Sequence, residues 1–301
     1  MIGTRVRLDG RVSDSPYGDL DRPPLHEAAL HRALVRDGGL WREVRVVPET
    51  GSTNADLAAR ARDGAPEGTV LVTEVQTAGR GRLGRAWTAP ARSGLTFSML
   101  LRPPVPVRAL GWASLLTGVA VAMAVRRMTA WSQAGERFLG ADAGPAGDAA
   151  VDARLKWPND LLVGDRKLAG ILVEKIDDGI VVGVGLNVGL REAELPVPTA
   201  TSLAIEGAPL SDRAPLLRAI LREFATWYRE WTALDGDPET SGLRTAYKEL
   251  CVTLGREVRV ELPGGEFLPG TATDVDEAGR LVVAGPGGER TISAGDVVHV
   301  R

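Results

Sequence analysis

The sequence predicts an α+β fold in two parts: a largely antiparallel sheet with helices, then a small all-β barrel. Three observations carry this. Residues 153–189 read as successive strands joined by the hairpin-length connections GDR and DDG, the signature of an antiparallel meander. Two apolar runs with helical character, 107–128 and 211–234, could cover such a sheet. From Val252 onward the chain becomes short strands broken by Gly and Pro, with turn spacing suited to a barrel of about 50 residues. A chain of 301 residues, 44% hydrophobic and 25% charged, can bury a sizeable core. The expected divisions are a flexible tail at 1–22, a main domain at 23–250 and the barrel at 251–301.

The elements follow in order. Residues 1–22 are polar and rich in Asp, Gly and Pro. Pro23 and Pro24 lead into a helical run, LHEAALHRALVRDGG, closed by Gly38 and Gly39, and then the strand WREVRVV. Ser52 or Thr53 can cap a short helix ending near Gly64. TVLVTEVQT is a β-branched strand with Gln76 at its C-terminal end. In SGLTFSMLL, Leu95, Phe97, Met99 and Leu101 share one face at strand period. The uncharged stretch Ala109 to Val125 is 17 residues, short for a membrane span of about 20, so a buried helix is expected. Residues 132–152 look like a surface insertion of low structural content. ARLKWPNDLLV, RKLAGILVEKI and GIVVGVGLNVG form three strands. Ser211 caps a helix to about Leu234, with Leu217, Ile220, Leu221, Phe224, Trp227, Tyr228 and Trp231 as its apolar stripe, and a short helix ends around Cys251.

Several function classes are disfavoured. A net charge of −3 gives no global basic field to draw the chain to DNA or a membrane. The N-terminus lacks the apolar stretch of a signal peptide. The single cysteine, Cys251, excludes an intrachain disulfide, suits a reducing cytoplasm and is most simply core filler. His26, His31 and His299 lie near the termini, away from the densest motifs, with no zinc-site spacing and no central histidine for a Ser-His-Asp relay.

The densest motif is AGRGRLGRAW, residues 78–87. Gly79-x-Gly81-x-x-Gly84 matches a dinucleotide-binding turn, but that turn must open a helix and needs an acid about 20 residues on. Here the loop leads to Trp87, Pro90 and a strand, and no Asp or Glu occurs between Glu74 and Glu136. A nucleic-acid loop would use Arg80, Arg82 and Arg85, but only Trp87 offers a local aromatic platform and the chain is acidic. A solvated loop is the plainest alternative. The remaining reading is a glycine-hinged loop folding over a small anion, with arginine forks gripping carboxylate or phosphate.

The meander adds to this. In KWPND, Lys156 shares a face with Arg154, while Pro158 interrupts the ladder and leaves Asn159 and Asp160 at an irregularity. Taken alone, Lys156 is an exposed strand lysine and Asp160 a turn former. In GIVVGVGLNVG, Ile180, Val182, Val184, Leu186 and Val188 make a core face, whereas the other face carries Gly183, Gly185 and Asn187. Glycines on one strand face point to a closely packed neighbour, either a ligand or the long helix, and Gly170 repeats the theme beside Lys167.

GSTNADL, QTAGRGRLGRAW, KWPNDLLV, RKLAGILVE and GVGLNV occur in the order seen in biotin protein ligases, and the chain resembles that family from about Val46 to Val188. The terminal barrel is similar to the family's SH3-like domain. The resemblance implies a mixed, largely antiparallel sheet of the class II tRNA-synthetase type. It implies joining of biotin to ATP as biotinyl-5′-AMP, then transfer to one lysine of a biotin carboxyl carrier protein or domain of an acyl-CoA carboxylase. By that resemblance, Ser52, Thr53, Asn54 and Gln76 would line the biotin pocket. Gly79, Arg80, Gly81, Arg82 and Arg85 would form the closing loop, mobile without ligand and ordered with it. Lys167 would contact the biotin carboxylate and the phosphate, with Gly170 nearby, and Lys156, Lys167 and Arg82 would be catalytic. Asn159, Asp160 and Asn187 would lie near the nucleotide, Asp160 as the Mg²⁺ ligand. About 45 residues precede the first motif, too few for a winged helix-turn-helix, so a monofunctional cytoplasmic ligase without DNA binding is expected, as monomer or homodimer. The rivals are a lipoate ligase, a catalytically silent biotin sensor and a tRNA-handling protein of synthetase-like fold.

Overall fold

A computed structural model describes residues 22–138, 150–208, 210, 212–262, 265–293 and 295–300. The first part is built on a seven-stranded sheet of order β1-β2-β3-β7-β6-β5-β4. Its strands are β1 (Glu43–Val47), β2 (Thr69–Thr73), β3 (Gly94–Leu101), β4 (Ala153–Lys156), β5 (Asp160–Val163), β6 (Arg166–Ile176) and β7 (Gly179–Asn187). Only β1 and β2 run parallel, joined through helix α2 (Thr53–Arg62); every other neighbour is antiparallel. The sheet is therefore mixed and largely antiparallel.

Alternation decides which face meets what. Leu95, Phe97, Met99 and Leu101 of β3 and Val182, Val184 and Leu186 of β7 join one large core. That core is completed by α3 (Trp112–Phe138) and α4 (Ala214–Ala233), which pack on each other. The segment Val107–Ala130 is long and apolar enough to cross a membrane, with a mean hydropathy of 1.5. Yet Trp112, Leu115, Leu116, Val119, Val121 and Val125 are buried in this core, so it serves as a core helix. On the opposite sheet face, α2 covers one end through Leu57 and Ala61 against Leu71, Leu100 and Val181. The rest of that face is free to form a site.

The second part is a five-stranded antiparallel sheet of order β11-β10-β9-β8-β12. Its strands are β8 (Glu257–Glu261), β9 (Phe267–Val275), β10 (Leu281–Gly285), β11 (Gly288–Ile292) and β12 (Asp296–His299). Helix α5 (Leu243–Leu250) precedes it, and Trp112 Nε1 and Trp157 Nε1 donate to its Glu277 and Gly279 carbonyls at 2.9 and 3.0 Å. Cys251 is buried, as expected of core filler.

Several expectations are corrected and one falls outside the described residues. KWPND is not inside one strand: β4 ends at Lys156 and β5 begins at Asp160, so the meander has four strands. The insertion at 132–152 is smaller than its polar composition suggests. Helix α3 continues to Phe138, Val151 is buried and β4 follows at Ala153, while residues 139–149 lie outside the described residues. Arg22, placed in the tail, is fixed by an ion pair to Glu194 at 2.5 Å and a bond to the Gly189 carbonyl at 2.7 Å; residues 1–21 lie outside the described residues. Ser211 also lies outside them, and the residue flanking the start of α4 is Arg213. Helix α1 (Glu27–Leu34) forms, but it ends at Leu34 with Val35 as its C-cap, short of the expected close at Gly38 and Gly39.

Candidate active site

A cleft of about 970 Å³ lies on the open sheet face, between that face, the arginine loop and the C-terminal sheet. Its floor is set by strand register. Thr96 of β3 pairs with Gly185 of β7, Gly185 with Gly170 of β6, and Gly170 with Asp160 of β5, so one row crosses four strands on a single face. Ser98, Gly183 and Leu172 make the next row. The small residues of each row make room for side chains packed over the strands.

At one end stands the first turn of α2. Ser52 caps it, its Oγ 3.5 Å from the Ala55 amide. Gln76 Oε1 accepts from the Thr53 amide at 2.8 Å and lies 3.1 Å from the Thr53 hydroxyl. The Ser98 hydroxyl sits 2.7 Å from Thr53 Oγ1 and 2.6 Å from Asn54 Oδ1. Asn54 Nδ2 donates to Glu174 at 2.7 Å and to the Leu172 carbonyl at 3.3 Å. Asn54, 5% exposed, is thus fixed at both ends of its amide, and it packs where a Cβ on Gly183 would stand. The strand glycines do reflect a closely packed neighbour, but it is the protein itself. Asn54 lies over Gly183, and the Trp87 ring over Gly185 and Gly170.

The middle of the cleft is charged. Lys167 Nζ lies 2.6 Å from Asp160 Oδ1 and 5.9 Å from the Trp87 ring centroid. Lys156 and Arg80 have no side-chain partner among the described residues. Asn159 donates to the Ile171 carbonyl at 2.8 Å and accepts from Arg82 at 3.1 Å. Asn187, 4% exposed, donates to the Thr201 carbonyl at 2.9 Å, so one role is to tie β7 to the following loop.

The arginine loop is a folded-back turn. Arg80 bridges to Ala86, the Gly81 amide donates to the Arg85 carbonyl at 2.6 Å, and the Trp87 amide to the Gly79 carbonyl at 2.9 Å. Burial lowers the Arg82 pKa while Asp296 and Asp160 oppose that shift, and the bond to Asp296 raises that of Arg85. Every expected site residue lines the cleft except Gly79. Gly79 sits behind the loop, where a Cβ would stand 2.5 Å from Gln76 Nε2, so its role is close backbone packing.

The C-terminal contribution to the cleft carries no local mark in the sequence. Arg256, Asp296, Val298, His299 and Val300 line the cleft, so His299 is not remote from the motifs. Burial, reinforced by Lys156 and Arg256, pushes its pKa down to about 4. It lies 3.2 Å from the Thr253 hydroxyl, which accepts from the Trp157 amide at 3.0 Å. No local pattern marks a contact between residues this far apart in the chain. Thr96 and Ser98 were more legible, as polar residues on the outer face of β3.

Among the described residues no three His, Cys, Asp or Glu side chains cluster to cage a metal. Asp160 is the one expected carboxylate ligand, and its Oδ1 is buried without an aligned hydrogen bond. A single carboxylate suits Mg²⁺ that arrives on nucleotide phosphates, and not a resident ion.

The motif order and this geometry agree with comparisons to known proteins. Residues 46–190 match the model of the biotin/lipoate A/B protein ligase family, and 253–300 that of the biotin protein ligase C-terminal domain. The chain is 43% identical to the biotin–[acetyl-CoA-carboxylase] ligase of Mycobacterium tuberculosis over 93% of its own length and 97% of the relative's. It belongs to the biotin protein ligase family. Among solved structures, the Aquifex aeolicus biotin protein ligase in complex with biotin and ATP superposes with a TM-score of 0.65 at 26% identity, covering 87% of this chain and 100% of that one. The Leishmania major biotin protein ligase in complex with biotinyl-5-AMP gives 0.56 at 26% identity, covering 83% and 98%.

Proposed function

We propose that this protein is an ATP-dependent biotin ligase that forms biotinyl-5′-AMP and transfers biotin to a lysine of a biotin carboxyl carrier protein. The observation that carries the reading is the gathering of all the ordered motifs around one cleft, with a neutral hydrogen-bonding end at Thr53 and Gln76 and a cationic middle at Lys156, Lys167 and Arg80. That polarity suits a ligand with a ureido group at one end and a carboxylate at the other.

In the first step a biotin carboxylate oxygen bonds to the α-phosphorus of ATP and the bond to the β-phosphate oxygen breaks, releasing pyrophosphate. Two anions must meet, so cations have to neutralise the charge that develops at phosphorus. Lys167 can leave Asp160 for the reacting carboxylate, while Lys156 and Arg80 are available to phosphates. Mg²⁺, held through Asp160 and the nucleotide phosphates, would supply further charge neutralisation. Fixed alignment of the two substrates supplies much of the remainder. In the second step the carrier's lysine nitrogen, neutral when it attacks, bonds to the acyl carbon. The carbon–oxygen bond to AMP breaks and the nitrogen's extra proton passes to solvent. Trp87 and the arginine loop shield the mixed anhydride from water meanwhile.

The catalytic region occupies 23–250 and the C-terminal module, read as an SH3-like barrel, 251–301. We read the enzyme as cytoplasmic and monofunctional, without DNA binding; its similarity over 97% of a relative named as a ligase alone supports the latter. Exchange of labelled pyrophosphate into ATP, with biotin, lipoate or no acid added, tests the reading. Exchange that requires biotin is expected; exchange driven by lipoate, or none from folded protein, overturns it.

A further inference from the structure

The arginine loop does not shut the cleft by itself. Its side chains reach the C-terminal sheet at two points. The Arg85 guanidinium is ion-paired with Asp296, the first residue of β12. Arg82 Nη2 donates to the Gly295 carbonyl at 3.1 Å, while its Nη1 donates to Asn159 at 3.1 Å on the other side. One side chain thus spans both sheets. The loop's backbone bonds, Gly81 to Arg85 and Trp87 to Gly79, shape the turn but do not tie it to the second sheet. Its tip gains nothing from burial, since Leu83 is 73% exposed. The three arginines are thus placed differently: Arg85 and Arg82, the latter expected to be catalytic, meet the second sheet, whereas Arg80 has no side-chain partner among the described residues.

We propose that Asp296 is a positioning residue for adenylate retention: it holds Arg85 and, with the Gly295 carbonyl on Arg82, makes the C-terminal sheet the catch that keeps the arginine loop closed. The inference rests on the ligase reading and gives the C-terminal sheet a task within it. A catch must also open for substrates, and this one is suited to that. The Arg85 and Asp296 side chains are 62% and 28% exposed, so solvent and salt weaken the pair.

The test uses the full chain carrying preformed biotinyl-adenylate. Adenylate release is followed by chase, together with the biotin KM in pyrophosphate exchange and the melting temperature. Asp296→Ala should release adenylate about two- to fivefold faster, the range of an exposed ion pair, and raise the biotin KM similarly with no change in melting temperature. Asp296→Glu should restore slow release. High salt should speed release from the wild type and leave Asp296→Ala almost unaffected. Exchanging the charges, Arg85→Asp with Asp296→Arg, should recover retention relative to Arg85→Asp alone. Unchanged release from Asp296→Ala, or faster release accompanied by a fall in melting temperature, overturns the catch. Wild-type protein without biotin-dependent exchange overturns instead the ligase reading beneath it.

Discussion

Gly183→Ala adds a methyl group in the space Asn54 already fills. The new Cβ would overlap Asn54 Oδ1 and stand 2.9 Å from its Cγ and 3.2 Å from its Nδ2. Asn54 cannot yield freely, because Ser98, Glu174 and the Leu172 carbonyl hold it. Overpacking of this kind costs about 1–3 kcal/mol. Losing one or two of the three hydrogen bonds adds about 0.5–1.5 kcal/mol each. Removing a glycine from the unfolded chain returns roughly 0.4–1 kcal/mol. The balance is a loss of roughly 0.5–5.5 kcal/mol, measurable by urea unfolding. Function should suffer too, because Asn54 adjoins Thr53, whose amide meets Gln76 at 2.8 Å. A shift of that turn should raise the biotin KM, about tenfold for each 1.4 kcal/mol of binding lost. Gly189→Ala is the control, since its Cβ would meet only the Ser93 carbonyl oxygen at 3.8 Å, an ordinary contact. Gly183→Ala protein with undiminished stability and normal biotin KM would refute the reasoning.

Other expectations concern single side chains. Lys167→Ala should slow adenylation on the order of 10²–10³-fold while the circular dichroism spectrum stays native, because it removes a cation from the reacting carboxylate; near-normal exchange would show that the lysine serves only Asp160. Arg213, 1% exposed, ties Glu74, the Gly94 carbonyl and the Pro23 carbonyl together at 2.7, 2.8 and 3.0 Å. Arg213→Leu leaves the buried Glu74 without its cation, with the Leu25 amide still donating to it at 2.6 Å, and should cost about 3–5 kcal/mol in urea unfolding. His299, pushed down to about 4, remains neutral in the folded chain while the unfolded chain takes up its proton near pH 6.5. Its stability contribution is therefore full above pH 6.5 and lost as pH falls toward 4, and His299→Gln should flatten that segment by about 1–2 kcal/mol.

What the sequence reveals follows the range of the interactions. Strand period located the core faces of β3 and β7, and the glycines at 183 and 185 signalled a close neighbour, because alternation and the missing Cβ are local facts. That the neighbours are Asn54 and Trp87 is set by register across strands, which no local pattern encodes. Polar composition misjudged 132–152, since α3 extends through seven of those residues to Phe138 before the chain leaves the described region. Pro158 marks KWPND as an irregularity, but its separation into β4 and β5 depends on the pairing of Lys156 with Asp160. The greatest gap was at the C-terminus. Asp296 and His299 carry no motif, and they reach the cleft because the second sheet docks on the first part, through Trp112 and Trp157 among other contacts.

The central claim is that one cleft joins biotin to AMP. Its most direct measurement is biotin-dependent exchange of labelled pyrophosphate into ATP by the purified, folded chain. Exchange is expected with biotin and absent with lipoate or without added acid. Folded protein that exchanges equally well without biotin, or not at all, would contradict it.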